Sequence, residues 1–190
     1  MRNPALYLCA LLLYLLPSCG SAPVHQSGDR LLTLRYEYGE PIRGKSFAWT
    51  GLGTSDTQSI AVANHWFVSN RLSLGPSFTA TAFDMLSGQW ITGGEIEGIM
   101  RWHFAEIDKT SFFWDWTAGY LHTSKKMPPN STDWNFTFGF GPGVEIPLGG
   151  KWKLLSTLQY HHLSNAKGRE TVENESQNEA RFTIGFGMDW

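Results

Sequence analysis

Trp152-Lys153-Leu154-Leu155-Ser156-Thr157-Leu158-Gln159-Tyr160-His161-His162-Leu163-Ser164 is the stretch whose reading decides the fold. Its even positions are Trp152, Leu154, Ser156, Leu158, Tyr160, His162 and Ser164, and its odd positions are Lys153, Leu155, Thr157, Gln159, His161 and Leu163. Alternation sustained over this length has the period of a β-strand, not of a helix. On an extended strand His162 and Ser164 share a face, with Cα atoms about 6.6 Å apart at a rise of about 3.3 Å per residue. That separation lets an imidazole nitrogen reach a hydroxyl. Both belong to the greasier face, where a polar pair needs a reason.

The same alternation recurs on either side. Leu32, Leu34, Tyr36 and Tyr38 oppose Thr33, Arg35 and Glu37 over 31–38, and a Gly/Ser/Thr-rich loop follows to Thr57. Further strands are predicted over 58–68, 72–83, 90–104, 111–120 and 134–146, then the quoted one, then a last strand running to the C-terminus. In the long fourth strand Ile96, Gly98, Met100, Trp102 and Phe104 oppose Glu95, Glu97, Arg101 and His103. Asp84–Gln89, 122–133 and 165–178 read as loops, and 68–71, 105–110 and 147–151 as short turns. The total is eight strands, an even number, with long and short connections in turn.

The chain begins with Arg2 and an apolar run from Ala5 to Leu16, followed by Pro17-Ser18-Cys19-Gly20-Ser21-Ala22. A basic residue, a short apolar core and small residues form a secretory signal peptide, so residues 1–22 read as a leader and 23–190 as one domain. Leu16-Pro17-Ser18-Cys19 carries a second reading, a lipoprotein box with Cys19 as the acylated first residue. Cys9 and Cys19 are the two cysteines, and both fall in the leader. The mature chain therefore has no disulfide to hold it. A net charge of −2 gives no case for a nucleic-acid partner.

An export signal ahead of Gly-punctuated, aromatic-rich alternating strands fits a transmembrane β-barrel. A soluble periplasmic β-sandwich would alternate too. The C-terminus decides between them: Phe182, Ile184, Phe186 and Met188 share one face, and Trp190 closes it, resembling the assembly signal of outer-membrane barrels. The fold class is therefore an all-β, eight-stranded antiparallel up-and-down barrel in the bacterial outer membrane. Its interior is expected to hold Arg35, Glu37, Glu95, Glu97, Arg101, His103 and Asp115 as a pairing network, because a barrel of this size fills with side chains. The quoted strand runs outward, which sets His162 and Ser164 on the lipid-facing wall near the outer rim. Polar groups there are functional suspects.

His162-Leu163-Ser164-Asn165-Ala166 on the penultimate strand closely resembles the His-x-Ser-Asn-Ala motif of the lipid A 3-O-deacylase (PagL-like) family. That resemblance covers about 159–190. It implies an outer-membrane serine esterase that removes an ester-linked acyl chain, at the 3-position in the family, from the lipid A of lipopolysaccharide in the outer leaflet. It implies Ser164 as nucleophile, His162 as general base and Asn165 as oxyanion donor, with no cofactor. Lys167 stands where the family usually has glycine, with Gly168 next.

The family also has an acidic residue on or just before the last strand, which orients the histidine. Glu179 is the first choice, although its parity differs from that of Phe182, Ile184 and Phe186. Asn178 has the right parity and is the alternative; Glu173 and Glu175 are loop candidates, and Asn174-x-x-x-Asn178 resembles an asparagine version of the motif. His161 points away from His162, so the two cannot share an ion and no metal is expected. Lys125, Lys126, Lys167 and Arg169 fall in outer loops, within reach of lipid A phosphates or simply solvated. The competing function is a catalytically silent barrel of the same fold with a structural or adhesive role.

Overall fold

The computed structural model describes residues 24–46, 49–51, 55–129, 131–165 and 176–190. The expected leader, both cysteines, Lys167, Gly168, Arg169, Glu173, Asn174 and Glu175 lie outside the described residues. The strands are β1 (Arg30–Pro41), β2 (Gly44–Ser46), β3 (Trp49–Gly51), β4 (Ser55–Ser69), β5 (Leu72–Met85), β6 (Trp90–Ile107), β7 (Thr110–Thr123), β8 (Trp134–Gly149), β9 (Trp152–Ser164) and β10 (Gln177–Asp189). Eight of them close into one barrel in the order β1-β10-β9-β8-β7-β6-β5-β4, each antiparallel to its neighbours. Closure gives the strand backbones their partners around the ring, which a sheet edge exposed to hydrocarbon would lack.

Three connections between successive barrel strands are two-residue turns: Asn70-Arg71, Asp108-Lys109 and Gly150-Lys151. Asp108 and Gly150 take the positive φ such turns require, 56° and 57°. Register shifts at Phe67/Ser69, His103/Ala105 and Pro147/Gly149 sit beside these turns and re-aim the strand ends. In outer-membrane barrels the short turns mark the periplasmic end. At the opposite end Leu86–Gln89 is nearly as tight, so the alternation of long and short connections is less regular than the sequence implies. The β2–β3 hairpin lies inside the stretch read as a plain loop. The strands outrun their expected limits because pairing with a neighbour holds polar residues such as His122, Thr123 and Asn178 extended, where composition alone reads as loop.

Alternation sorts the side chains. Leu34, Phe78, Ile96, Leu158 and Phe186 stand exposed on the outer wall, and the polar set turns inward. Arg35, Glu37, Glu95, Glu97, Arg101, His103 and Asp115 are all buried in the lumen, as expected. Arg101 grips Asp115 with two bonds, Nε to Oδ1 at 2.8 Å and Nη2 to Oδ2 at 2.9 Å. Towards the outer end the lumen is plugged by Phe83, Met85, Ile91, Leu121, Met127 and Leu163. At the periplasmic end His25, from the segment preceding β1, stacks on Phe67 with ring centres 3.8 Å apart and sits 2.7 Å from the Glu145 carboxylate. The result is a filled interior, not a pore.

Candidate active site

β9 carries Tyr160, His162 and Ser164 to the outer face near its outward end, and β10 returns beside it with Asn178 directly opposite His162. The Ser164 hydroxyl lies 3.1 Å from His162 Nε2. His162 Nδ1 lies 2.8 Å from Asn178 Oδ1, so Nδ1 donates and Nε2 keeps the lone pair that faces the serine. The Tyr160 hydroxyl also donates to Asn178 Oδ1, at 2.6 Å. The four side chains form one relay, Tyr160–Asn178–His162–Ser164, along the barrel wall.

Aromatic rings shield that relay. Phe138 packs against both His162 and Tyr160, each with ring centres 6.2 Å apart, and Phe140 lies 5.5 Å from Tyr160. His162 is buried although it lies on the outward face, while Ser164 is partly accessible. Lower on the same face Leu158 is 58% exposed, as a lipid-facing residue should be. A hydroxyl held by an imidazole with its lone pair towards it, on a wall in contact with acyl chains, has the components of nucleophilic attack on an ester.

Glu179, the first choice for orienting the histidine, stands on the other side of the wall. It is fully buried in the lumen, where it accepts from Thr57 Oγ1, from Gln177 Nε2 at 2.6 Å and from Arg181 Nη2 at 3.3 Å. A Cβ on Gly39 would meet Glu179 Oε2 at 2.6 Å, so the missing side chain there makes room for the carboxylate. Parity explains the placement: β10 has no bulge against β9, so Glu179 faces inward opposite His161 while Asn178 faces outward opposite His162. Asn178 is therefore the residue that meets the imidazole. Asn165, just past β9, is buried and donates from Nδ2 to Ser131 Oγ at 3.0 Å. Tyr160 and Ser131 were not singled out from the sequence. The even-position pattern already placed Tyr160 on the face of His162, whereas nothing in the sequence pairs Ser131 with Asn165.

Two groups among the described residues have the composition of metal ligands, His25/His103/Glu145 and Glu95/Glu97/His161. A protein cation already stands at each. Lys153 Nζ lies 2.9 Å from Glu145 Oε1. Arg181 Nη2 donates to His161 Nδ1 at 2.9 Å, which leaves the proton of a neutral imidazole on Nε2, towards Glu95. His161 and His162 lie on opposite faces of β9.

No protein-family model and no curated protein matches this sequence. Solved structures do. Neisserial surface protein A (NspA) matches with a TM-score of 0.62 at 10% identity over 85% of this chain and 97% of its own. The outer membrane enzyme PagL matches with a TM-score of 0.57 at 15% identity, over 82% and 98%. The outer membrane protein OprG from Pseudomonas aeruginosa matches with a TM-score of 0.54 at 11% identity, over 87% and 97%. Identities this low carry the likeness as one of fold. With its closed ring, apolar outer wall and filled polar lumen, the chain is an eight-stranded antiparallel β-barrel of the bacterial outer membrane.

Proposed function

We propose that this barrel is a serine esterase that removes an ester-linked acyl chain, the 3-position chain by resemblance, from lipid A in the outer leaflet. The observation that carries this reading is the Ser164–His162–Asn178 chain of hydrogen bonds, 3.1 and 2.8 Å long, on the lipid-facing wall near the outer rim. PagL, one structural neighbour beside NspA and OprG, is an outer membrane enzyme. The His-x-Ser-Asn-Ala resemblance begins on the same strand, at His162 and Ser164.

In this mechanism the substrate arrives by lateral diffusion. Ser164 Oγ attacks the ester carbonyl carbon as His162 Nε2 takes the hydroxyl proton, and negative charge gathers on the carbonyl oxygen. Asn165 is the proposed oxyanion donor, with Ser131 fixing the plane of its amide. Collapse of the intermediate breaks the bond to the sugar oxygen, which leaves with the proton from Nε2. Water, deprotonated by His162, then attacks the acyl-serine carbonyl, releasing a fatty acid and restoring Ser164. Asn178 orients the imidazole throughout. As a neutral partner it stabilises the imidazolium less than a carboxylate would, although Cys-His-Asn enzymes show that an amide suffices.

That same neutral partner is what favours the second reading, a silent barrel with a structural or adhesive role. Mass spectrometry of lipid A from cells expressing the parent or Ser164→Ala, with barrel folding checked by heat-modifiable gel mobility, separates the two. Loss of one hydroxyacyl chain with the parent alone is the expected result. Unchanged lipid A with a folded parent, repeated on purified lipid A variants, would sink the esterase.

A further inference from the structure

We infer that Tyr160 is a positioning residue of this site: its hydroxyl holds the Asn178 amide with the oxygen towards His162, and so sets the imidazole tautomer that can accept the serine proton. The inference rests on the esterase reading for its consequence, but its geometry stands independently.

An amide has two ends of similar shape and opposite function. With Oδ1 towards His162, Nδ1 must carry the hydrogen, and the Nε2 lone pair faces Ser164 Oγ at 3.1 Å. With the amide reversed, Nδ2 would donate to Nδ1, the imidazole hydrogen would move to Nε2, and the ring could no longer act as base. The wrong tautomer is how a triad loses its rate with its geometry intact. A carboxylate in this place would have no wrong end. An asparagine needs a neighbour that discriminates between its ends.

Tyr160 is placed to do so. It reaches diagonally from β9 to Asn178, past its own register partner Ala180, whose methyl leaves the way open. Its hydroxyl donates to the same Oδ1 that takes the His162 bond, at 2.6 Å. A phenol donates more strongly than it accepts, so it pairs better with the amide oxygen than with the amide nitrogen. Phe138 and Phe140 pack the ring, which is 8% exposed, and hold the hydroxyl in place.

The test is Tyr160→Phe in two backgrounds, with kcat and KM measured on lipid A in detergent micelles. In the native background kcat should fall about tenfold, the effect of one buried hydrogen bond, with KM changed less than about twofold. With Asp at position 178 (Asn178→Asp) the same change should cost less than about threefold, because either carboxylate oxygen accepts from Nδ1. An equal loss in both backgrounds would make Tyr160 a packing residue and overturn the proposal, as would no loss in the native one. Imidazole nitrogen NMR of the labelled barrel in micelles reads the tautomer without any turnover. The parent should carry the His162 hydrogen on Nδ1, and Tyr160→Phe should mix the two tautomers. An unchanged tautomer would refute the role. A parent that cleaves no lipid A would remove the esterase reading, and the NMR result would still decide what Tyr160 does.

Discussion

The third member of the proposed triad can be tested by exchanging two neighbours on one strand. Asn178→Ala removes an acceptor that serves two donors, His162 Nδ1 at 2.8 Å and the Tyr160 hydroxyl at 2.6 Å. A neutral hydrogen bond is worth about 0.5–1.5 kcal/mol net, and about 1.4 kcal/mol is tenfold in rate. The lost His162 bond alone therefore costs about tenfold. Loss of tautomer control adds to that, bounded by the roughly 10⁴-fold penalty seen when a triad's orienting group fails. We expect a fall of about 10²-fold in kcat. Glu179→Gln keeps the side-chain shape and touches nothing on the outer wall, so deacylation should stay within about threefold of the parent, while Arg181 loses a carboxylate it bonds at 3.3 Å and the barrel becomes easier to unfold. The assay is deacylation of lipid A by refolded protein in detergent, followed by mass spectrometry, with heat-modifiable mobility confirming the fold. A folded Glu179→Gln barrel that is inactive, beside an active Asn178→Ala barrel, would refute the assignment of faces.

Two further changes probe the architecture. Leu158→Arg, midway along β9 on the outer wall, should cost about 2–4 kcal/mol of folding free energy in lipid vesicles; an unchanged unfolding midpoint would mean that this face does not meet hydrocarbon. Asp115→Ala strands the fully buried Arg101 and should cost about 3–5 kcal/mol by denaturant titration, whereas Arg101→Met with Asp115→Leu should recover most of the loss.

Strand number, lumen set and outward face were legible because each rests on a period of two. Arg35, Glu37, Glu95 and Glu97 sit where alternation places them, since one inward residue fixes the rest of its strand. Strand ends were less legible. Gln177 and Asn178 read as loop by composition, yet their pairing with Leu163 and His162 makes them strand. The β2–β3 hairpin left no alternation long enough to read. At the site, parity was the informative signal and the family's preference for an acid pulled against it, favouring Glu179. Asn178 was legible as the residue of correct parity. That Tyr160 would reach the same amide was not, because a diagonal contact depends on register.

The register itself gives the reason Glu179 stays inside. β9 and β10 carry two imidazoles back to back, His162 bonded to Asn178 towards lipid and His161 opposite Glu179 towards the lumen, where Arg181 Nη2 donates to both His161 Nδ1 and Glu179 Oε2. A slip of one residue would exchange the partners and turn every side chain of the moved strand to the other face. Glu179 would then stand in an apolar wall, away from Thr57, and Arg181 two residues on would turn out with it; two charges in that wall cost far more than a neutral amide. Phe182, Ile184 and Phe186 would turn into the polar lumen in the same step. The asparagine on the wall and the glutamate in the lumen are thus one decision, made by the whole strand. A polar relay in this position is tolerable because none of its members is a carboxylate and its side chains bond one another, Tyr160 and His162 to Asn178 and His162 to Ser164. On the proposed mechanism charge arises there only during turnover, when His162 takes the serine proton.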